Sequence, residues 1–225
     1  IMSVYDEYRS RLRSPGEAVK VIKSGDWVDY TTALGFPVLL DAALAERRDE
    51  LYDVKLRGNL CFGPIRTAEC DPSREHFIYN TWHCSAYERS LCDRNLCNFI
   101  PMIFRNVSAY YRSFLKVNVA MMSVPPMDRH GYFNLSCATG VARSILETAD
   151  TVILEINENL PKIYGIADES IHISEVDFIV EGSHAPLPEF PIAEASPAEL
   201  AIAQHIIPRI ASGSTLQLGI GGMPG

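Results

Sequence analysis

Residues 117–157 read VNVAMMSVPPMDRHGYFNLSCATGVARSILETADTVILEIN and contain the pattern that decides the fold class. The segments 117–124 and 151–157 are short and apolar at consecutive positions, which is typical of strands buried on both faces. The stretch 138–149 between them has the composition of a helix. This alternation predicts an α/β fold with a mixed, mostly parallel sheet covered by helices.

The rest of the chain continues the alternation. Further strands are predicted over 53–58, 77–81, 98–104, 177–182 and 214–220, and further helices over 37–48, 85–92 and 106–115. The starts of two helices are clearly marked in the sequence. Ser14 and Ser196 are each followed directly by Pro, and a Glu lies three residues after each serine. Pro208 is expected to kink or end the second of these helices early.

A proline-rich segment suggests a domain boundary near residue 186. We expect a first α/β domain over 1–185 and a linker over 186–196. Residues 197–225 then provide one helix, one strand and a glycine loop, which bury too little surface to form a domain. They are interpreted as the start of a second, similar domain.

Charge and cysteine usage exclude several classes of protein. The formal net charge is −8 and no Lys/Arg cluster is visible, so a nucleic-acid partner is not expected. Neither a signal peptide nor an apolar run of the ~18 residues needed to span a membrane is visible. The six cysteines form no CxxC pair, which predicts reduced thiols, a cytoplasmic location and no metal site.

The glycines at 219, 221 and 222 follow a predicted strand directly. Without Cβ atoms the backbone can turn sharply there, and its N–H groups can approach a phosphate or an oxyanion. A purely structural turn explains the same spacing equally well.

Polar residues at two other strand ends are weaker candidates. Glu155 and Glu158 could act as a base or nucleophile, although a turn with solvated carboxylates is simpler. Asp128 and His130 could form an acid/base pair, although a turn in which Asp128 caps its own backbone is simpler.

An aromatic cluster lies in the segment 75–89. Its rings could form a wall for an acyl or pantetheine chain, or they could simply pack in the core or at an interface. The rings belong to Tyr79, Trp82, His83 and Tyr87.

Several long sequence segments, taken in order along the chain, resemble the acetyl-CoA hydrolase/transferase family, and within it the butyryl-CoA:acetate and 4-hydroxybutyrate CoA-transferases. These segments are SGDWVDY (24–30), DELYDVKLRG (49–58), EHFIYNTWHCSAYER (75–89), PMDRHGYFN (126–134), VILEINENLP (152–161), ESIHISEV (169–176), FIVEG (178–182) and STLQLGIGGMP (214–224).

The resemblance implies a NagB/RpiA-like fold in two similar halves and a ping-pong transfer of coenzyme A between carboxylates. It implies acyl-CoA and small carboxylates as partners, no tightly bound cofactor, and association either as a homo-oligomer or with a C-terminal half. The CoA and oxyanion contacts would come from Gln217, Gly219, Ile220, Gly221, Gly222 and Met223. Asp128, His130 and Asn157 would lie at the rim of the site.

The sequence departs from the family at its end. The family's nucleophilic glutamate, which forms a glutamyl-CoA thioester, lies beyond the glycine loop and therefore beyond Gly225. We therefore expect no catalytic residue in this chain and no turnover by these 225 residues alone. Two alternatives remain open: an acyl-CoA hydrolase, and an acyl-CoA-binding module without catalytic activity.

Overall fold

A seven-stranded, all-parallel sheet forms the centre of the fold. The computed structural model describes residues 3–165, 168–189 and 194–219. The strands of the sheet run in the order β4-β3-β2-β1-β5-β7-β9. A separate antiparallel pair joins β6 to β8. The strands are β1 Trp27–Thr32, β2 Val54–Asn59, β3 Phe77–Thr81, β4 Cys97–Phe99, β5 Val117–Val124, β6 Tyr132–Asn134, β7 Ala149–Ile156, β8 Ser170–His172 and β9 Phe178–Glu181.

Helices cover both faces of the sheet, as the alternation in sequence predicts. They are α1 Val4–Arg11, α2 Pro15–Ala18, α3 Val38–Glu46, α4 Arg66–Glu69, α5 Ala86–Asp93, α6 Phe104–Ser113, α7 Thr139–Thr148 and α8 Pro197–Ile206. No helix among the described residues is both long and apolar enough to cross a membrane.

The core consists of two apolar layers, one on each face of the sheet. Successive residues of a strand alternate between the layers, since side chains along a strand point to opposite faces. Met121 and Ile153 belong to the layer beneath α3 and α5, whereas Met122 and Leu154 belong to the layer beneath α6 and α7. Burial on both faces explains why these strands read as continuous apolar runs.

The central strand β1 is not among the strands predicted from the sequence. It contains a charged residue, Asp29, which lies fully buried. The charge is compensated by Arg57 of β2, whose Nη2 lies 2.7 Å from Asp29 Oδ2 and whose guanidinium lies 4.5 Å from the centre of the Trp27 ring. A buried charge is tolerated when it is paired in this way.

Two predicted strands are wrong in part or in full. The strand predicted over 98–104 ends at Phe99, because Pro101 has no N–H to continue a ladder, and α6 begins at Phe104. Residues 214–219 of the strand predicted over 214–220 are exposed and form no strand. A strand requires a hydrogen-bonded neighbour, and residues 194–219 contain no other strand that could supply one.

The chain divides into one compact unit over residues 1–187 and a second over 188–225. The first unit contains the whole sheet. The described part of the second contains α8 and a short 3-10 turn at Ile207–Arg209. Ser196 caps α8 with the predicted capping box, and the helix ends at Ile206, two residues before Pro208. The predicted domain limits themselves remain a prediction.

Candidate functional site at the carboxyl edge of the sheet

The strand order marks one position on the sheet where a ligand crevice is expected. From β1 the chain proceeds through β2 and β3 to β4 on one side, and then continues with β5 on the other side of β1. In open parallel sheets, ligands bind outside the carboxyl ends of the two strands at which the order reverses. Here those strands are β1 and β5, so the loops after Thr32 and Val124 flank the expected site.

The loop after β1, residues 33–37, is held tightly in place. Ala33 adopts a φ of +50°, in the left-handed region. A Cβ atom on Gly35 would lie 2.3 Å from Thr31 Oγ1 and 2.5 Å from Ala138 Cβ, so only glycine fits there. The Thr31 hydroxyl also donates to the Gly35 carbonyl at 3.3 Å. The loop is therefore seated against its own strand and against the turn at 136–138.

Glu155, at the carboxyl end of β7, fastens the helix that follows this loop. Its Oε2 accepts the backbone N–H groups of Leu39 and Leu40, each at 3.0 Å. The side chain is buried, and this burial raises the pKa of Glu155 to about 7, although the backbone N–H donors at the start of α3 act to lower it. The expectation of a solvated carboxylate is therefore wrong for Glu155, and it holds for Glu158, which is exposed.

Asp41 of α3 fastens the next loop in the same manner. It lies fully buried and accepts hydrogen bonds from Arg66 N at 2.6 Å and from Thr67 Oγ1 at 2.7 Å, both at the start of α4. Tyr30 Oη of β1 donates to it as well, at 2.9 Å. Burial raises the pKa of Asp41 to about 6, despite hydrogen bonds that lower it.

Glu88 of α5 completes the series. Its carboxylate is fully buried and accepts from Ser85 N at 2.9 Å, from Cys61 N at 3.2 Å and from Tyr79 Oη at 2.9 Å. The loops after β1, β2 and β3 are thus each held by a buried carboxylate. Neither Asp41 nor Glu88 is predicted from the sequence as a site residue, although a single acidic residue within an otherwise apolar helical stretch, as at Asp41, is a usable signal.

The residues predicted at the rim lie around the loop after β5. Asp128 accepts from His130 N at 2.8 Å and from Tyr132 N at 3.0 Å, which is the self-capping turn. Although burial acts to raise the pKa of Asp128, these N–H donors lower it overall. His130 is exposed, and the Asn157 side chain donates to Ala185 O at 3.1 Å.

Asp128 also lines an open pocket of about 330 Å³. The pocket begins directly after β5 with two prolines and is also lined by the segment 162–164. Its lining includes Pro125, Asn134, Lys162 and Tyr164. This pocket lies at the same edge of the sheet as the expected crevice.

The aromatic cluster at 75–89 is mainly core packing. Tyr79 is fully buried against Glu88, and Trp82 is buried with its ring 6.1 Å from that of Phe104. Tyr87 is half-buried and donates to Glu69, whereas His83 is exposed. The buried rings cannot form the wall of an open pocket.

Among the residues predicted to contact CoA or the oxyanion, Gln217 and Gly219 lie in the part of the chain that the structure describes, and both are exposed. Ile220, Gly221, Gly222 and Met223 lie outside the described residues. Among the residues that are described, no group of three or more His, Cys, Asp or Glu side chains is arranged to hold a metal ion.

Comparison with known proteins identifies the family to which this chain belongs. Residues 2–191 match the family model described as acetyl-CoA hydrolase/transferase N-terminal domain. The chain belongs to the acetyl-CoA hydrolase/transferase family. Two similar relatives are the butyryl-CoA:acetate CoA-transferase of Anaerostipes caccae, 40% identical over 99% of this chain and 50% of that protein, and the probable butyrate:acetyl-CoA coenzyme A-transferase of Syntrophomonas wolfei, 42% identical over 97% and 49%.

Two solved structures have the same fold as this chain. RipA from Yersinia pestis superposes with a TM-score of 0.87 at 29% identity and covers 99% of this chain and 54% of its own. The 4-hydroxybutyrate CoA-transferase from Porphyromonas gingivalis superposes with a TM-score of 0.76 at 28% identity, over 98% and 51%. The chain therefore spans about half the length of the relatives it matches.

Proposed function

We propose that this chain is the N-terminal half of a short-chain acyl-CoA:carboxylate CoA-transferase that exchanges coenzyme A between butyryl-CoA and acetate. The observation that carries the proposal is the match of nearly the whole chain, at 40% and 42% identity, to two proteins named for this exchange. The match ends at about half of each relative, which is consistent with a first half whose counterpart supplies the remaining groups.

In this proposal the carboxylate of a glutamate beyond Gly225 attacks the thioester carbonyl of the acyl-CoA and displaces the CoA thiolate, which leaves a mixed acyl-glutamyl anhydride. The thiolate then attacks the glutamyl carbonyl of this anhydride, so that the acyl group leaves as a free carboxylate and the glutamate carries coenzyme A as a thioester. Attack on a thioester or acyl carbonyl places negative charge on the carbonyl oxygen, and preorganised backbone N–H groups stabilise that charge. We assign this role to the N–H groups of the loop from Gln217 to Met223. The Ile220 contribution would be its backbone, not its side chain.

In this proposal the N-terminal half holds the loops of the site in place and supplies one wall of the site. The carboxyl edge between β1 and β5 would receive the acyl group, with Asp128, His130 and Asn157 at its rim. Excluding water there is useful, since a partly desolvated carboxylate is a better nucleophile than a hydrated one. No step in this scheme requires a tightly bound cofactor or a metal.

An isotope-exchange assay tests the proposal. The protein at its natural length is incubated with butyryl-CoA and labelled acetate, and labelled acetyl-CoA is measured together with free CoA. Label entering acetyl-CoA without net loss of thioester supports the transferase. Net release of free CoA would instead indicate a hydrolase, and binding of butyryl-CoA with neither product would indicate a binding module.

A second assay uses residues 1–225 alone. We expect this chain to catalyse no exchange, since the proposed nucleophile is not among its residues. Exchange by the verified 225-residue chain would refute the assignment of the nucleophile.

A further inference from the structure

The start of α3 is capped by a side chain that is distant in sequence, an arrangement it shares with α4 but not with α2, α5 or α8. Helices α2, α5 and α8 each begin at a serine that accepts the N–H of a glutamate three residues later, within a local capping box. Helix α3 begins after Pro37, which has no side chain able to accept a hydrogen bond. Its first N–H groups are bonded instead by Glu155, more than 100 residues away in sequence.

This remote cap crosses the point at which the strand order reverses. Glu155 lies on β7 and pairs in register with Ser123 of β5, which separates β7 from β1. The helix that Glu155 caps follows β1. One side chain therefore joins the two sides of the expected crevice, whereas a local serine cap would have left the loop before α3 free of the opposite side.

Burying a carboxylate in this position has a cost, and the cost is evidence of a requirement on geometry. A local Ser or Asp cap satisfies the same N–H groups while remaining hydrated. A carboxylate that is almost fully buried loses its hydration, and the hydrogen bonds only partly compensate. The arrangement gains a fixed distance between β7 and the start of α3, and hence a fixed position for the loop 33–37.

The residues of this loop indicate what the loop would contact. It contains Leu34 and Phe36, both partly exposed, and Val38, the first residue of α3, is about half exposed. Phe36 is itself held by an edge-on contact with Tyr30 at 5.1 Å. An apolar, rigid segment beside a ligand crevice suits the hydrocarbon part of a ligand better than its phosphates or its carboxylate.

We propose that Glu155 is a positioning residue which, by capping α3 from β7, fixes the loop 33–37 as the wall that selects the acyl chain of the CoA thioester. This inference rests on the proposed transferase function and assigns Glu155 no chemical step. The inference requires an acceptor oxygen at the correct distance from the Leu39 and Leu40 N–H groups, and it does not require the side chain to be charged. Glutamine at this position can still accept both N–H groups, whereas aspartate is one methylene too short.

The test compares Glu155→Asp and Glu155→Gln in the protein at its natural length, with Glu158→Asp as the matched control on the exposed neighbour. The kcat/KM for exchange is measured with acetyl-CoA, butyryl-CoA and hexanoyl-CoA. We expect Glu155→Asp to lower kcat/KM for the preferred acyl-CoA by about 10²-fold and to change the ratios among the three substrates, because a shift of about 1 Å in a positioning group has effects of this size. Glu155→Gln and the control should keep the wild-type ratios.

Amide hydrogen exchange gives a readout that does not depend on turnover. The Leu39 and Leu40 amides should exchange about tenfold faster or more in Glu155→Asp than in Glu155→Gln or the control. A uniform loss of kcat/KM for all three acyl-CoA substrates in Glu155→Asp would overturn the inference while leaving the transferase function intact. Altered ratios of kcat/KM among the substrates in Glu155→Gln would do the same. A wild-type protein that exchanges no acyl-CoA would instead overturn the proposed function, and the inference with it.

Discussion

The buried carboxyl group of Glu155 should make the stability of the protein depend on pH in a way that one substitution removes. Its pKa rises from 4.5 to about 7 on folding, chiefly because the group leaves water. A carboxyl whose pKa is raised holds its proton more tightly in the folded state. Proton binding by Glu155 therefore contributes fully to the free energy of unfolding below pH 4.5, and this contribution is lost as the pH rises through 7.

The size of the effect follows from the shift. One pKa unit corresponds to about 1.4 kcal/mol, so ionised Glu155 disfavours the folded state by about 3 kcal/mol. Other titrating groups, including Asp41, also change the stability of the wild type with pH. A comparison with Glu155→Gln cancels their common contributions, since glutamine keeps the acceptor but does not titrate.

The assay is urea unfolding of the wild type and of Glu155→Gln at about pH 4.5 and about pH 8, followed by the fluorescence of the two tryptophans. We expect the free energy of unfolding of the variant, relative to the wild type, to rise by about 3 kcal/mol between the two pH values. Glu158→Gln, on an exposed side chain, should show no such rise. A difference between wild type and Glu155→Gln that is the same at both pH values would refute the burial argument.

Three further substitutions test the interior of the fold by the same unfolding assay. Arg57→Met leaves Asp29 buried without its charged partner and should cost about 3 to 5 kcal/mol at neutral pH. The loss should be smaller at acidic pH, and equal losses at both pH values would contradict this. Gly35→Ala forces a Cβ into space already filled by neighbouring side chains and should cost about 1 to 3 kcal/mol, so an unchanged midpoint would show that the loop is not tightly seated. Ser85→Ala removes the oxygen that accepts Glu88 N at 3.0 Å and should cost about 1 kcal/mol, whereas a neutral result would mean that water replaces the cap.

The sequence predicts the sheet well where the strands are apolar on both faces. The strands β5 and β7 lie within two residues of their predicted limits, because burial on both sides leaves an unmistakable apolar run. The central strand β1 is missed since its buried Asp29 resembles a surface residue until Arg57, on another strand, is known to compensate it. The α/β fold class is correct although its central strand was not predicted.

The site is predicted less completely, for a related reason. The position of Glu155 at a strand end is evident from sequence, but its burial depends on N–H groups at Leu39 and Leu40, which only the folded chain brings close. The same applies to Asp41, which bonds α4 from α3. Local patterns identify helix caps such as Ser14 and Ser196, whereas they give no sign of a cap supplied from a distant strand.

The most direct test of the central claim is the intact mass of the protein after incubation with butyryl-CoA. The protein at its natural length is compared with residues 1–225, which have a mass of 25.0 kDa. A CoA-sized adduct on the natural-length protein, mapped beyond Gly225 and removed by borohydride, is the predicted result, with no adduct on the 225-residue chain. A natural-length protein that gains no adduct, or an adduct mapped within residues 1–225, would contradict the assignment of this chain as the supporting half of a glutamyl-thioester transferase.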